Sequence, residues 1–218
     1  MRVLSYLEAS VTWTASWDEV RPLAGAAHGV VLEFLQKRYS FASASQSPSS
    51  QATGFVTPFL QIGSFEGRSP PSPIGQIDFQ PAAIVVSSST TEAAIEIFDD
   101  VMSSLESEFG FRTPPDRPRK YASTIVSQLD FRISEALSKW SGVLDFIKKY
   151  QGDNGSTMAP VSVRFMALDG GQPSVNQFTF ERRFPIIDGD ERIFTLAPLS
   201  TTDHELLLQH IETIFGKA

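Results

Sequence analysis

The chain has 218 residues, 41% of them hydrophobic and 20% charged, a balance that suits a soluble globular protein with length for one large domain or two closely packed halves. It contains no cysteine, which excludes disulfides, thiolate metal sites and a cysteine nucleophile. A net charge of −7 argues against broad binding to a phosphate backbone, which relies on Lys and Arg, so nucleic acid is not an expected partner. No apolar run approaches the roughly 20 residues that span a bilayer. Glu8 also interrupts the first apolar stretch too early for a secretory signal. The expected setting is cytoplasmic, with no membrane contact.

The first predicted strand covers residues 7–15, where Val11 and Trp13 alternate with Thr12 and Thr14. Ser16 or Asp18 then opens a helix whose apolar positions Val20, Leu23, Ala27, Val31 and Phe34 keep helical spacing. Gly25 and Gly29 in that run are read as close packing on a sheet. Residues 40–53 are almost entirely Ser, Ala and Gln, a composition expected to form a mobile loop. Residues 55–65 read as an edge strand because Pro58 interrupts them, and the proline-rich 67–73 as loop. Segments 74–79 and 83–87 are two strands or one bent strand.

The most informative stretch follows. Ile84, Val85 and Val86 favour a buried strand, and Thr90 or Thr91 is placed to cap a helix whose first turn carries Glu92. Ala94, Phe98, Val101 and Leu105 form its apolar stripe, and Gly110 is the expected stop. The outer face collects Glu92, Glu96, Asp99, Asp100, Glu106 and Glu108 without any base, and these six carboxylates account for nearly all of the net charge. Glu92, Glu96 and Asp100 lie at i, i+4 spacing, so like charges replace the Glu–Lys pairs that usually support a surface helix.

Arg112, Arg117, Arg119 and Lys120 lie among Pro114, Pro115 and Pro118 and read as an extended, solvated connector. A strand is predicted over residues 121–131 and a helix over 133–150 with the stripe Ile133, Leu137, Trp140, Leu144 and Ile147. The last third is β-rich. Val161, Val163 and Phe165 alternate, as do Phe178, Phe180 and Phe184, with turns at Asp169-Gly170-Gly171 and Asp188-Gly189-Asp190. A final helix opens at 200–202, with Thr202 and Glu205 in capping-box spacing.

The expected fold class is therefore α+β, a mixed or antiparallel sheet with helices packed on it. Residues 1–131 read as β-α-β-β-α-β, the order of a ferredoxin-like split β-α-β, and residues 132–218 as α-β-β-β-α, the two halves packed as one unit. That analogy implies no activity.

No catalytic or cofactor motif emerges, and no metal site is expected. Ser89-Thr90-Thr91-Glu92 and Ser200-Thr201-Thr202-Asp203 each place hydroxyls at a helix start, a geometry that suits an anion, but they lack the glycines and lysine of a phosphate loop; capping explains both. His204 and His210 stand about 120° apart around their helix and cannot share a metal. Asp188, Asp190 and Glu191 lack the further ligands of a calcium loop. Arg182 falls between Phe180 and Phe184 on the face that alternation assigns to the core. Phe55, Phe59, Phe65 and Phe111 fall in loop-rich or proline-interrupted stretches and are expected to be exposed.

Two functional readings follow. In the first the protein is a non-enzymatic interaction module, an adaptor, assembly subunit or inhibitor-type protein, which meets a basic protein partner through Glu92, Glu96, Asp99, Asp100 and Glu106 and the loop aromatics. In the second it binds or turns over an anionic small ligand in a cleft near Arg182 and His204, aided by the hydroxyls of Ser89 and Thr90.

Overall fold

The computed structural model describes residues 1–15, 17–22, 28–46, 58–67, 69–112, 119–131, 162–169, 172–182 and 192–215. They form a mixed α+β structure, a large antiparallel sheet of nine strands with four helices among the described residues. The chain divides into two compact units, one of Tyr6–Ser123 with Leu199–Thr201, the other of Met1–Ser5, Thr124–Pro198 and Thr202–Ala218.

In the larger unit the elements are β1 (Arg2–Trp13), α1 (Trp17–Val20), α2 (His28–Arg38), β2 (Ser43–Gln46), β3 (Pro58–Phe65), β4 (Ser72–Phe79), β5 (Ile84–Ser88) and α3 (Thr91–Phe109), with the strands in the order β2-β3-β4-β5-β1. Strand β1 also supplies residues to the smaller unit, and begins earlier than the alternation of Val11 and Trp13 indicates. On its buried face Ala9, Val11 and Trp13 join Leu60, Ile77, Phe79, Ile84 and Val86. Onto these pack Val31 and Leu35 of α2 and Ala94, Ile97, Phe98, Val101 and Leu105 of α3. Trp13 stacks on Phe98 at 3.7 Å and 11°, an aromatic contact worth about 1 kcal/mol beyond its area.

Several expectations change here. The ferredoxin-like order is not found: four strands, not two, separate α2 from α3, and β1 lies beside β5, Val11 opposite Val86, in a sheet of nine strands. Segments 74–79 and 83–87 are separate paired strands, Ile77 opposite Val86. Within the supposed loop, Ser43–Gln46 form β2, paired with β3 from Ser43 opposite Gln61 to Gln46 opposite Pro58. Strand β3 is thus internal, flanked by β2 and β4, and Pro58 is tolerated because it is the first residue of the strand. The expected exposed aromatics are not exposed: Phe65 and Phe111 lie in the core and Phe59 is half-buried in β3, while Phe55 lies outside the described residues.

Helix α3 matches its reading closely. The Thr90 side chain accepts from the Ala93 N–H, and left-handed Gly110 (φ 70°) returns its N–H to Glu106 O, an αL cap. Phe111 follows directly and is folded back under the helix end, with 2% exposure.

The smaller unit contains β6 (Lys120–Gln128), which starts in the larger one, then β7 (Ser162–Asp169), β8 (Gln172–Arg182), β9 (Arg192–Ala197) and α4 (Thr201–Phe215). Its strand order is β6-β9-β8-β7. Ile125, Leu129, Phe180, Ile193 and Leu208 form its core, with Val163, Phe178 and Ile211 packed around them. Helix α4 begins at Thr201, so Thr202 lies inside the first turn and does not cap it. The predicted helix 133–150, the connector 113–118 and the turn at Asp188 lie outside the described residues.

The strand orders of the two units are alike. Three consecutive strands form a meander whose third member pairs with the unit's opening strand and leads into a helix: β3-β4-β5 with β1 and α3, and β7-β8-β9 with β6 and α4. Equal counts from the helix starts place Ala94, Phe98 and Val101 of α3 in correspondence with His204, Leu208 and Ile211 of α4; all are buried except Ile211, which is partly buried.

Candidate functional site

Helix α3 spreads its carboxylates unequally. Glu96, Asp99, Glu106 and Glu108 are exposed, whereas Glu92 and Asp100 are half-buried. Successive steps of four, three and seven residues hold Glu92, Glu96, Asp99 and Glu106 on one side of the helix. Their outward direction follows from the opposite stripe, which the core takes.

Asp100 is not an unopposed charge. The last turn of α2 delivers Arg38, whose Nη2 meets both carboxylate oxygens of Asp100 at 3.2 Å. The next residue, Tyr39, donates its hydroxyl to Asp100 Oδ2 at 2.5 Å, and Arg38 Nε donates to that hydroxyl at 3.2 Å. Burial, with the bond to Asp100 behind it, pushes the Tyr39 phenol up to about 12. The bond to Tyr39 and the neighbouring Asp100 charge hold Arg38 above its ordinary value. The face read as lacking any base therefore has one at Asp100, supplied from 62 residues away. Helix periodicity carried no signal of it; only basic residues in the last turn of α2 hinted at a pairing.

Beside this triad lies a small open cavity of about 170 Å³ lined by Arg38, Tyr39, Phe65, Glu66, Gly67 and Asp100. A second cleft, of about 450 Å³, is lined by Ser69, Pro70, Pro71, Ser72, Pro73 and Ser89. Ser89 thus borders a proline-walled cleft, while Thr90 is spent on the cap. The first amide of α3 is also occupied: Thr91 N donates to Thr201 Oγ1 at 3.0 Å. Those two N-terminal donors are already used by the protein, which supports capping over anion binding.

In the smaller unit His204 is fully buried and meets Phe178 edge-on, ring centroids 6.1 Å apart. Phe178, Phe180 and Arg182 share one face of β8 by strand alternation. Phe180, in the core, stands between the other two, which places Arg182 roughly 13 Å along the strand from the Phe178 that touches His204. Arg182 Nε is buried and has no hydrogen-bond partner among the described residues. The basic connector contributes structure at its ends: Arg112 N donates to Val20 O at 2.8 Å, and the Arg119 guanidinium lies 5.4 Å from the Trp13 ring centroid.

Among the described residues no group of three or more His, Cys, Asp or Glu is placed to hold a metal, and no helix is long and apolar enough to cross a membrane. No protein-family model matches the chain, and no curated protein matches it.

Proposed function

We propose that the protein is a cytoplasmic, non-enzymatic interaction module whose acidic α3 face receives a basic protein partner. The observation that carries this reading is the exposure of Glu96, Asp99 and Glu106 along one side of a helix that is capped at both ends and packed on the sheet by its opposite face. These carboxylates span about 15 Å, a rigid row of like charge. Such a row accelerates encounter with a cationic surface and repels acidic ones. Glu92 and Asp100 border the row; the loop aromatics no longer belong to it. The test is capture of partners by wild type and by the Glu96→Lys/Asp99→Lys double variant at low salt. The proposal expects the bound proteins to be basic and to be lost from the variant; retention of every partner would overturn it.

A second reading, a binder of an anionic small ligand, rests on the buried Arg182 Nε. An unpaired guanidinium nitrogen away from water is costly, and a carboxylate or phosphate would satisfy it. It predicts saturable thermal stabilisation by phosphate or a dicarboxylate that Arg182→Gln abolishes.

A further inference from the structure

We propose that the cavity between Arg38, Tyr39 and Asp100 on one side and Phe65, Glu66 and Gly67 on the other is a socket for one cationic side chain, Arg or Lys, of a protein partner. The inference rests on the acidic-face reading and adds a specific anchor to it.

Size selects the class of occupant. About 170 Å³ is well short of the roughly 300–1,000 Å³ of pockets that enclose drug-sized ligands, and suits one long side chain. Charge selects its sign. Two carboxylates, Glu66 and Asp100, face one guanidinium, Arg38, and that guanidinium is already committed through Nη2 to Asp100 and through Nε to the Tyr39 hydroxyl. An entering anion would meet two carboxylates and a base already paired with one of them.

Hydrogen-bond capacity points the same way. A carboxylate offers about four lone-pair positions. Asp100 uses three, one on Oδ1 for Arg38 and two on Oδ2 for Arg38 and Tyr39, and retains acceptor capacity on Oδ1. Glu66 accepts the Ser64 hydroxyl on Oε1 at 3.0 Å and retains Oε2. The cavity thus offers acceptors from both walls, the requirement of a guanidinium or ammonium group.

The walls are also held in place. Tyr39 is 3% exposed and its hydroxyl is bonded on both sides. Gly67 lies so close to the Phe65 ring that a Cβ there would fall 2.3 Å from its Cζ, so the ring and the backbone at 67 form one surface for the aliphatic stem of the entering side chain. Asp100 is one residue from exposed Asp99 and one turn from exposed Glu96, which would draw a basic partner toward the opening.

The test is a two-dimensional amide NMR titration of the full chain with N-acetyl-arginine amide and N-acetyl-lysine amide, with N-acetyl-norleucine amide as the uncharged control. Expected are saturable shifts of the Gly67 amide with the two cationic probes, weakened about fivefold in exposed Glu66→Gln, the change that loss of one partly exposed ion pair implies. Those shifts persist, though weakened, in Glu96→Lys/Asp99→Lys, because these residues attract a cation toward the opening but do not line the cavity. The socket is overturned if the cationic probes give no saturable shift, if the norleucine probe matches them, or if Glu66→Gln has no effect. Should the probes fail at Gly67 while a basic partner still binds in a Glu96- and Asp99-dependent way, the socket falls and the acidic-face reading stands.

Discussion

Thr91 and Thr201 cap each other: the Thr91 amide donates to Thr201 Oγ1 at 3.0 Å and the Thr201 amide to Thr91 Oγ1 at 2.8 Å. Each is the first residue of its helix, α3 or α4, and both are buried. Two helix starts that each leave an amide without an intrahelical acceptor thus satisfy one another.

That exchange predicts two separable losses. Thr91→Val or Thr201→Val keeps the shape but removes one acceptor, leaving the opposite buried N–H unpaired, at a cost of about 1–3 kcal/mol each. The double variant is expected to lose close to the two costs added, because each change removes a different amide bond and only the 3.3 Å contact between the two hydroxyls is shared. Urea unfolding of the four proteins measures this; a double variant no less stable than either single one would contradict it.

Tyr39 predicts an alkaline limit. Its folded pKa is raised from about 10 to about 12, so the fold favours the neutral phenol. The resulting stabilisation is complete below about pH 10 and disappears as pH rises through about 12. Wild type is expected to lose stability over that window more steeply than Tyr39→Phe, which has no proton to release. Denaturant unfolding at intervals from pH 8.5 to about 12 compares the two.

Neighbouring residues of β3 should respond in opposite directions. Ile62 is 71% exposed and has a φ of 55°, a left-handed conformation that a β-branched residue adopts only under strain. Ile62→Asn removes little packing and is expected to stabilise by about 1 kcal/mol. Gly63→Ala would place a Cβ 2.6 Å from two carbons of the buried Phe41 ring and 3.0 Å from Tyr39 O. That crowding is expected to cost about 1–3 kcal/mol. Thermal unfolding of both variants distinguishes strain from crowding.

Charge reversal on α3 should leave the fold intact. Asp99 is exposed and lies three residues from Glu96, so Asp99→Lys converts a like-charge spacing into an opposite one and is expected to change stability by no more than a few tenths of a kcal/mol. Circular dichroism melting checks this, and an unchanged or higher midpoint ties any loss of partner binding to the surface itself.

Local chemistry by itself determined α3. Its cap at Thr90, its stop at Gly110 and its buried stripe all depend on residues within one or two turns, and the sequence reading and the structure agree on each. The strand at Ile84–Ser88 was legible for the same reason, since a compact β-branched run signals its own burial. Only the tertiary structure decided the rest. Ser43–Gln46 have no apolar pattern and become a strand because β3 offers them a backbone ladder. Phe111 reads as a loop aromatic until the Gly110 turn folds it into the core. Asp100 reads as one more surface carboxylate until α2 brings Arg38 and Tyr39 to it across some 60 residues. Side-chain periodicity records which face of an element is buried, but not which distant element covers it, and the pairing of Asp100 and the cavity beside it depend on that second choice.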